Sequence, residues 1–394
     1  MKTFSCGVCH KPVYFENTVC THCGTTLGFL PDNMRLAALV EGEDGLWREP
    51  RGGPDASVGH GASRDGTAVG DCHLEPMPAG LATVAARRTP QAYRKCGNYA
   101  LHDVCNWMVP ADGGDTNCAV CRLNQIIPNL ASPGNLDKWF RIERGKRRLA
   151  YGLLRLGLPV RSKAEDPRGG LGFALLSSQD APPGEPVVTG HANGLITLNT
   201  DEADPSIRER IRLDMDEKYR TLLGHFRHEI GHYYWDLLIR DGRRLEDFRL
   251  QFGDERVDYG QALDAHYATG APADWQDSYI STYASSHPWE DWAETWAHYL
   301  HIVDTLETGE HFGIAVERRM PDGSVQRSDP DFDPYAIGDF EPIIEHWLPL
   351  TFALNSINRS MGQTDLYPFV LSQPVIDKLG FVHSVVRDTG RGGL

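Results

Sequence analysis

Apolar residues recur with helical spacing in two long stretches of the chain. In residues 136–156 they are Trp139, Ile142, Leu149, Leu153 and Leu156, and in residues 220–238 they are Leu222, Leu223, Phe226, Ile230, Tyr234 and Leu237. A period near 3.6 residues is that of an α-helix with one buried face. The pattern predicts two core helices here, closing helices at 341–358 and 374–387, and a charged, helix-prone segment from Asp201 to Glu217.

Residues 187–199 carry a strand-like pattern that is interrupted at Asn193-Gly194. Asn-Gly is a preferred pair for a two-residue hairpin turn, so a hairpin or a strand with a turn is expected. The edge of such a strand could pair with the main chain of an extended peptide. Residues 52–70 contain six glycines and no Leu, Ile, Phe, Tyr or Trp, which predicts a flexible linker or loop. The polar residues 316–336 predict a further loop.

The composition of the 394-residue chain is that of a globular protein, with 41% hydrophobic and 24% charged residues. Its length allows roughly two to three domains. Because no stretch approaches about 18 consecutive apolar residues and the N-terminus lacks an apolar signal region, we expect a cytoplasmic protein without a membrane span. The formal net charge of −15 argues against general binding to nucleic acid or anionic membranes.

The nine cysteines all lie in the first third of the chain. Cys6, Cys9, Cys20 and Cys23 form CxxC-x10-CxxC, in which each pair delivers two thiolates from one tight turn to a tetrahedral ion. A segment of about 25 residues buries too little apolar surface to fold unaided, so zinc would supply its folding energy. We predict a zinc ribbon over residues 1–28. A redox-active pair is the alternative, and the second CxxC argues against it.

A second, looser set consists of Cys96, Cys105, Cys118 and Cys121. Only one CxxC pair is present, but four cysteines so close in sequence predict a second four-cysteine zinc site in a module over residues 29–134. A group of small buried thiols is the alternative. The ninth cysteine, Cys72, has no spaced partner and is predicted to be an unligated thiol.

The first predicted core helix begins a strongly basic segment. Between Lys138 and Lys163 the chain has nine basic residues and a single acidic one, Glu143. A solvated helix face that balances an acidic body is the favoured interpretation. A local patch for nucleic acid or an acidic partner is the alternative.

His228, Glu229 and His232 form an HExxH motif inside the second predicted core helix. Histidines four residues apart project from one helix face, so both imidazoles can bind the same zinc ion. Glu229 lies beside them and can take a proton from a zinc-bound water. The motif in its helical context predicts a catalytic zinc rather than an unrelated pair of histidines.

Two histidines leave a catalytic zinc one protein ligand short, so a downstream helix should supply the third. A helix is predicted to begin at Pro288, with His287 as its N-cap. It presents three candidate ligands on one face at intervals of four residues, namely Glu290, Glu294 and His298.

We predict Glu294 as the third ligand, because alanines and tryptophans around it would bury its carboxylate and a buried carboxylate needs a partner. His298 and then Glu290 are the alternatives, and Glu290 in the first turn also offsets the helix dipole. A candidate that is not a ligand is expected to hydrogen-bond a ligating imidazole. Asp236, one turn after His232, is another candidate for that role or else a solvated charge.

Hydrolysis develops an oxyanion that a nearby donor would stabilise. His287 lies seven residues before Glu294, and Tyr283 lies four residues earlier still. Either residue could reach a substrate carbonyl. Each also has an ordinary structural interpretation, as a helix cap for His287 and as a packed aromatic ring for Tyr283.

The HExxH helix followed by a glutamate helix resembles the gluzincin metallopeptidases. Trp-Ala-Glu294-Thr-Trp-Ala is similar to the AExFA-like ligand helix of lethal-factor-type and Pro-Pro-endopeptidase-type proteases. In those families a tyrosine seven residues before the ligand glutamate stabilises the oxyanion. His287 occupies that position here, which departs from the pattern.

Nearly the whole chain resembles a bacterial family of zinc-binding metallopeptidases with an N-terminal zinc ribbon. The shared features are the two opening CxxC pairs, Cys105-Asn-Trp, Cys118-x-x-Cys-Arg, GHFRHEIGHYYWD at 224–236 and HPWEDWAETWAHYLH at 287–301. The resemblance implies an α+β fold in which residues 135–394 form a gluzincin-like domain with a small sheet, an edge strand, an HExxH helix and a glutamate helix. Cysteine-rich zinc-ribbon modules would precede it.

These features predict a zinc metallopeptidase that holds one catalytic and two structural zinc ions and acts on a peptide or protein substrate. His228, His232 and Glu294 would hold the catalytic zinc. Glu229 would carry a proton from the bound water to the leaving amine, and His287 would assist at the oxyanion. The alternative is an interaction or regulatory protein that is directed to a partner or to nucleic acid and has a vestigial or structural HExxH site.

Overall fold

The computed structural model describes residues 2–50, 92–182, 184–214, 217 and 219–391, so segment 52–70 and Cys72 lie outside the description. The helices are α1 (Gly97–His102), α2 (Asn135–Arg155), α3 (Pro205–Asp214), α4 (Leu222–Tyr234), α5 (Leu245–Phe252), α6 (Tyr259–Thr269), α7 (Pro288–Phe312), α8 (Glu341–Ser360) and α9 (Gln373–Arg391). The strands are β1 (Phe4–Ser5), β2 (Pro12–Val13), β3 (Thr26–Leu30), β4 (Arg35–Glu41), β5 (Trp47–Arg48), β6 (Tyr93–Lys95), β7 (Met108–Pro110), β8 (Asn124–Ile126), β9 (Gly172–Leu176), β10 (Gly190–Ala192), β11 (Leu195–Asn199), β12 (Val316–Arg319) and β13 (Val325–Ser328). Within the described ranges, no helix is both long and apolar enough to cross a lipid bilayer.

The cysteine-rich part of the chain builds one antiparallel sheet in the order β3-β4-β5-β6-β7. The first two of these strands follow the first four cysteines, and the last two flank the start of the second set. A boundary at residue 28 would fall inside β3. The sheet therefore ties both cysteine groups into one N-terminal unit.

This N-terminal unit packs against α2. The ring of Phe15 meets the ring of Tyr151 edge-on, with 5.5 Å between centroids. The guanidinium of Arg147 is buried and donates to the carbonyl of Val104, next to a cysteine of the second set. Apolar residues from both sides of this contact belong to one continuous core.

The second sheet has the strand order β10-β11-β9-β8, with β11, β9 and β8 parallel and β10 antiparallel at the edge. The hairpin predicted at Asn193-Gly194 is confirmed, and both turn residues have positive φ, 49° and 80°, as a type I′ turn requires. A Cβ atom on Gly194 would lie 2.3 Å from the carbonyl oxygen of Gly170, so this position also excludes a side chain.

Helices α4 and α7 cross closely because small residues face each other. A Cβ atom on Gly231 would lie 3.0 Å from the Cα atom of Ala293. The indole of Trp292 donates to the carbonyl of Gly231 at 2.9 Å. This close crossing brings the HExxH residues of α4 beside the acidic residues of α7.

The predicted helices at 136–156, 341–358 and 374–387 are confirmed as α2, α8 and α9. The prediction of a loop at 316–336 is wrong, because β12 and β13 form an antiparallel hairpin there. Its residues are mostly exposed, so no apolar alternation marks the strands. The hydroxyl of Ser328 donates to the carbonyl of His346 and ties the hairpin to α8.

Most of the basic side chains from Lys138 to Lys163 have partners within the chain. The contacts are Lys138 with Asp201, Arg141 with Asp137, Lys146 with Glu143, Arg147 with the Val104 carbonyl, Arg148 with Glu16, Arg155 with Asp333, and Lys163 with the Asn193 carbonyl. These pairings support a helix face whose charge the chain itself balances.

Candidate metal centres and the cleft

The first four cysteines converge on one point, with all four Sγ atoms within 4.8 Å of one another. Cys6 and Cys23 are separated by 3.7 Å between Sγ atoms, and Cys9 and Cys20 by 3.6 Å. Four thiolates around a zinc ion at about 2.3 Å would lie about 3.8 Å apart, so the cluster has the size and donor set of a zinc site. A disulfide would require an S–S distance of about 2 Å.

The second set, Cys96, Cys105, Cys118 and Cys121, also converges within 4.8 Å, and all four residues are buried. The Sγ atoms of Cys105 and Cys118 are 3.9 Å apart. The backbone amide of Trp107 donates to the Cys105 sulfur at 3.4 Å, as expected around a thiolate. Four sulfurs that converge within this distance have the size and donor set of a second zinc site.

A third convergence lies between α4 and α7 and consists of His228, His232 and Glu290. The Nε2 atoms of the two histidines are 3.3 Å apart, and Oε2 of Glu290 lies 3.0 Å from the first and 3.6 Å from the second. Ligands at about 2.0 to 2.1 Å from a tetrahedral zinc would be separated by about 3.4 Å. Among the residues that the structure describes, Oε2 of Glu290 is buried without a hydrogen-bond donor, so this group of residues fits a bound cation.

Glu294 does not occupy the position predicted for it. Its Oε1 lies 2.7 Å from Nδ1 of His228, and its Oε2 accepts a hydrogen bond from the hydroxyl of Ser281 at 2.7 Å. Nδ1 lies on the opposite side of the imidazole from Nε2, so Glu294 cannot share an ion with that nitrogen. The structure therefore corrects the predicted position, because Glu290 and not Glu294 converges with the two Nε2 atoms, whereas Glu294 contacts Nδ1 of His228.

Glu290 is held in place from its other side. The hydroxyl of Tyr259, in the first turn of α6, donates to Oε1 of Glu290 at 2.7 Å. Burial opposes ionisation of this carboxylate, but His232 and His228 outweigh it and hold the pKa of Glu290 well below its ordinary value. The carboxylate is thus available as an anionic ligand.

A chain of buried charged groups leads away from Glu229. Nε2 of His225 lies 3.4 Å from Oε1 of Glu229, and its Nδ1 lies 2.8 Å from Oε2 of Glu202. Burial opposes the charge on His225, but the two carboxylates outweigh it and raise the pKa of His225 to about 9. The sequence patterns did not lead us to predict His225 as a residue of this site. Its position four residues before Glu229 on the same helix would have been a usable signal.

His287 is a structural cap, which corrects its predicted role at the oxyanion. Its Nδ1 accepts a hydrogen bond from the backbone amide of Trp289 at 3.1 Å. Its Nε2 therefore carries the proton and donates to the carbonyl of Val257 at 3.1 Å. Both ring nitrogens are occupied and the ring is buried, so His287 has no donor left for a substrate.

The ring of Tyr283 lies beside the ring of His228. Tyr283 lies seven residues before Glu290, and its ring centroid is 5.9 Å from that of His228. Burial raises the pKa of Tyr283, so the phenol keeps its proton.

The two remaining candidates serve other contacts. Nδ1 of His298 lies 2.7 Å from the hydroxyl of Tyr367, and its ring packs against Phe369. Asp236 pairs with Arg240 at 2.7 Å near the end of the helix. Neither side chain therefore reaches the three converging ligand atoms.

A cleft of about 890 Å³ opens beside this centre. His228, Glu229 and Tyr283 line it, together with His225 and Glu294. The segment 187–189, which leads into the edge strand β10, lines it as well. No described residue of the N-terminal unit contributes to its walls.

Comparison with known proteins agrees with this arrangement. A family described as "putative zinc-binding metallo-peptidase" matches residues 135–385, and a zinc-ribbon domain family matches residues 3–58 and 72–132. Proteins of Mycobacterium bovis and of two strains of Mycobacterium tuberculosis, each described as uncharacterized, are 41% identical over 391 residues. The aligned region covers 98% of this chain and 96% of theirs. No solved structure matches the chain significantly.

Proposed function

The chain belongs to this family of zinc-binding metallopeptidases, and we propose that it hydrolyses peptide bonds in the cleft beside His228, His232 and Glu290. The observation that carries the proposal is the convergence of these three ligand atoms next to an open cleft. Three protein ligands leave a fourth position for water or substrate, as catalytic zinc sites do. A zinc ion bound there would act as a Lewis acid and make a water molecule more acidic.

Glu229 is the proposed general base. Its Oε2 is buried without a hydrogen-bond partner among the described residues, whereas its Oε1 faces His225. The unpartnered oxygen can accept a proton from the attacking water and return it to the leaving amine. The HExxH spacing keeps this carboxylate on the same helix as the two ligating histidines.

His225 is proposed to orient Glu229. A carboxylate only accepts hydrogen bonds, so Nδ1 of His225 donates to Glu202. With a pKa near 9, His225 carries a second proton at neutral pH and can donate it to Oε1 of Glu229. The other oxygen of Glu229 then stays turned towards the water.

Tyr283 is the proposed donor to the oxyanion. Its phenol lines the cleft beside the ring of His228 and retains its proton. A hydrogen bond formed only in the transition state speeds the reaction without tightening substrate binding. This assignment replaces the one made for His287.

The substrate is proposed to be an extended peptide that pairs with the sheet edge. Residues 187–189 line the cleft and continue into β10, which pairs with β11 alone among the described strands. Main-chain pairing at a free edge binds peptides of many sequences, and side-chain pockets then select among them.

The test is the variant Glu229→Gln, assayed on a peptide library and on denatured protein. We expect it to keep the zinc content of the wild type and to lose at least about 10²-fold in kcat, because the proton acceptor is removed. His225→Gln should keep zinc and lower kcat less. Unchanged turnover in Glu229→Gln would reject the mechanism. A fully zinc-loaded wild type that cleaves nothing would favour the interaction-protein alternative.

A further inference from the structure

Helix α6 lines the cleft but contributes nothing to the core. None of its residues from Tyr259 to Thr269 is buried. Even so, Tyr259, Leu263 and Tyr267 lie four residues apart on one face, and all three line the cleft. The exposed fraction of Tyr267 is 61% and that of Tyr259 is 38%. Exposed apolar side chains that are grouped along the wall of a cleft are typical of a ligand-binding groove.

This apolar stripe, defined as Tyr259, Leu263 and Tyr267, begins at the metal centre. The hydroxyl of Tyr259 donates to Glu290, so one end of the stripe touches a proposed ligand. Eight residues of α-helix span about 12 Å, which is the length of roughly three to four residues of extended peptide. Trp275 lines the cleft as well and enlarges its aromatic surface.

Three carboxylates that line the cleft are paired with basic side chains of the chain. Asp201 binds Lys138 at 2.6 Å, Glu217 binds Arg220 at 2.7 Å, and Glu202 binds His225 at 2.8 Å. The carboxylate of Glu294 contacts Nδ1 of His228 and the hydroxyl of Ser281, as described above. Because these carboxylates are neutralised within the chain, we expect the apolar stripe to contribute most of the binding free energy of a ligand.

We propose that the stripe on α6 selects substrates, and that the preferred peptides carry an aromatic or large aliphatic side chain within about three residues of the scissile bond. This inference rests on the proposed peptidase function. Val188, Ile207 and Ile211 line the same cleft from other segments and extend the apolar surface available to the substrate. Burying such a side chain against these groups releases water from apolar area on both partners.

The experiment compares four matched peptides with Phe, Ala, Lys or Asp at one position of an otherwise constant sequence. Their Kd values are measured by calorimetry on zinc-loaded Glu229→Gln, and their kcat/KM values on the wild type. We expect the Phe peptide to bind at least roughly tenfold more tightly than the Ala or Asp peptide. The wild type should favour it by a similar factor.

Two variants probe the stripe, and a third is the control. Leu263→Asp should abolish the preference for Phe, and Tyr267→Ala should reduce it by roughly two- to tenfold. Leu250→Asp should leave it unchanged, because Leu250 is 83% exposed on α5 and does not line the cleft. Zinc content is expected to be equal in all three.

The outcomes separate this inference from the peptidase assignment. Cleavage of all four peptides at equal rates, or a preference for Lys that persists in Leu263→Asp, would overturn the inference and leave the peptidase in place. Selective binding of the Phe peptide without any cleavage by the wild type would overturn the peptidase and retain the stripe as a binding surface. If neither binding nor cleavage distinguishes the peptides, the inference fails.

Discussion

Two glutamates one helical turn apart, Glu290 and Glu294, divide two tasks at the imidazole of His228. One carboxylate meets Nε2, where an ion would sit, and the other meets Nδ1. A carboxylate on the second nitrogen fixes the ring orientation and makes the imidazole a stronger ligand. Both residues therefore belong to the same centre. Removal of Glu290 would remove a proposed metal ligand, whereas removal of Glu294 would leave the ring of His228 without the carboxylate that orients it.

Tyr283 and His287 provide a prediction at the scale of single residues. Tyr283→Phe removes only a hydroxyl and should lower kcat by roughly 10²-fold or more with little change in KM, because the donor acts in the transition state. His287→Ala should instead lower the free energy of unfolding by about 1 kcal/mol or more through the lost cap, with kcat nearly unchanged. Steady-state kinetics and thermal melts of both variants decide between the roles. A larger loss of kcat in His287→Ala than in Tyr283→Phe would reverse the assignment.

The residues of the centre could be predicted from the sequence only in part. The HExxH pair follows from helical spacing alone, which fixes His228 and His232 on one face of a single element. The choice between Glu290 and Glu294 does not follow from helical spacing. Both residues lie on the same face of α7, and they differ only in their distance along the helix from the point where α7 crosses α4. That offset depends on the contact between Gly231 and Ala293, which is a tertiary property.

At the scale of elements, the segment before β10 gives the next prediction. If the substrate pairs with this edge through its main chain, Val188→Pro should raise KM severalfold because it removes a backbone N–H. Val188→Ala keeps that group and serves as the control. The side chain of Val188 is 72% exposed, so neither change disturbs the core. Equal KM values in the two variants would show that the edge does not bind substrate through its backbone.

Long amphipathic helices were predictable, whereas most strands were not. Helix α2 buries a regular apolar stripe and is therefore visible in the sequence. Strands β5, β6 and β7 are two or three residues long, which is too short for a periodic pattern to mark them in the sequence. The hairpin of β10 and β11 was predictable because its Asn-Gly turn is a local signal that needs no tertiary contact.

At the scale of the whole molecule, the N-terminal unit and the peptidase domain share a core. Cys105 lies close to the contact between Val104 and Arg147, so the second cysteine site supports that interface. Cys105→Ser should therefore remove one zinc ion and lower the melting temperature of the entire chain in a single transition, by about 10 °C. Cys72→Ser is the matched control, since Cys72 has no predicted metal partner, and it should change neither quantity. Separate melting of the peptidase domain at its original temperature would contradict a shared core.

The claim on which the account depends is that an ion sits between His228, His232 and Glu290. Anomalous scattering at the zinc absorption edge, measured on crystals of the full chain grown with zinc, tests it most directly. We expect three peaks, one in each cysteine cluster and a third within about 2.2 Å of the two Nε2 atoms and of a carboxylate oxygen of Glu290. A third peak bound by Glu294 with Glu290 turned away, or no third peak at all, would contradict it.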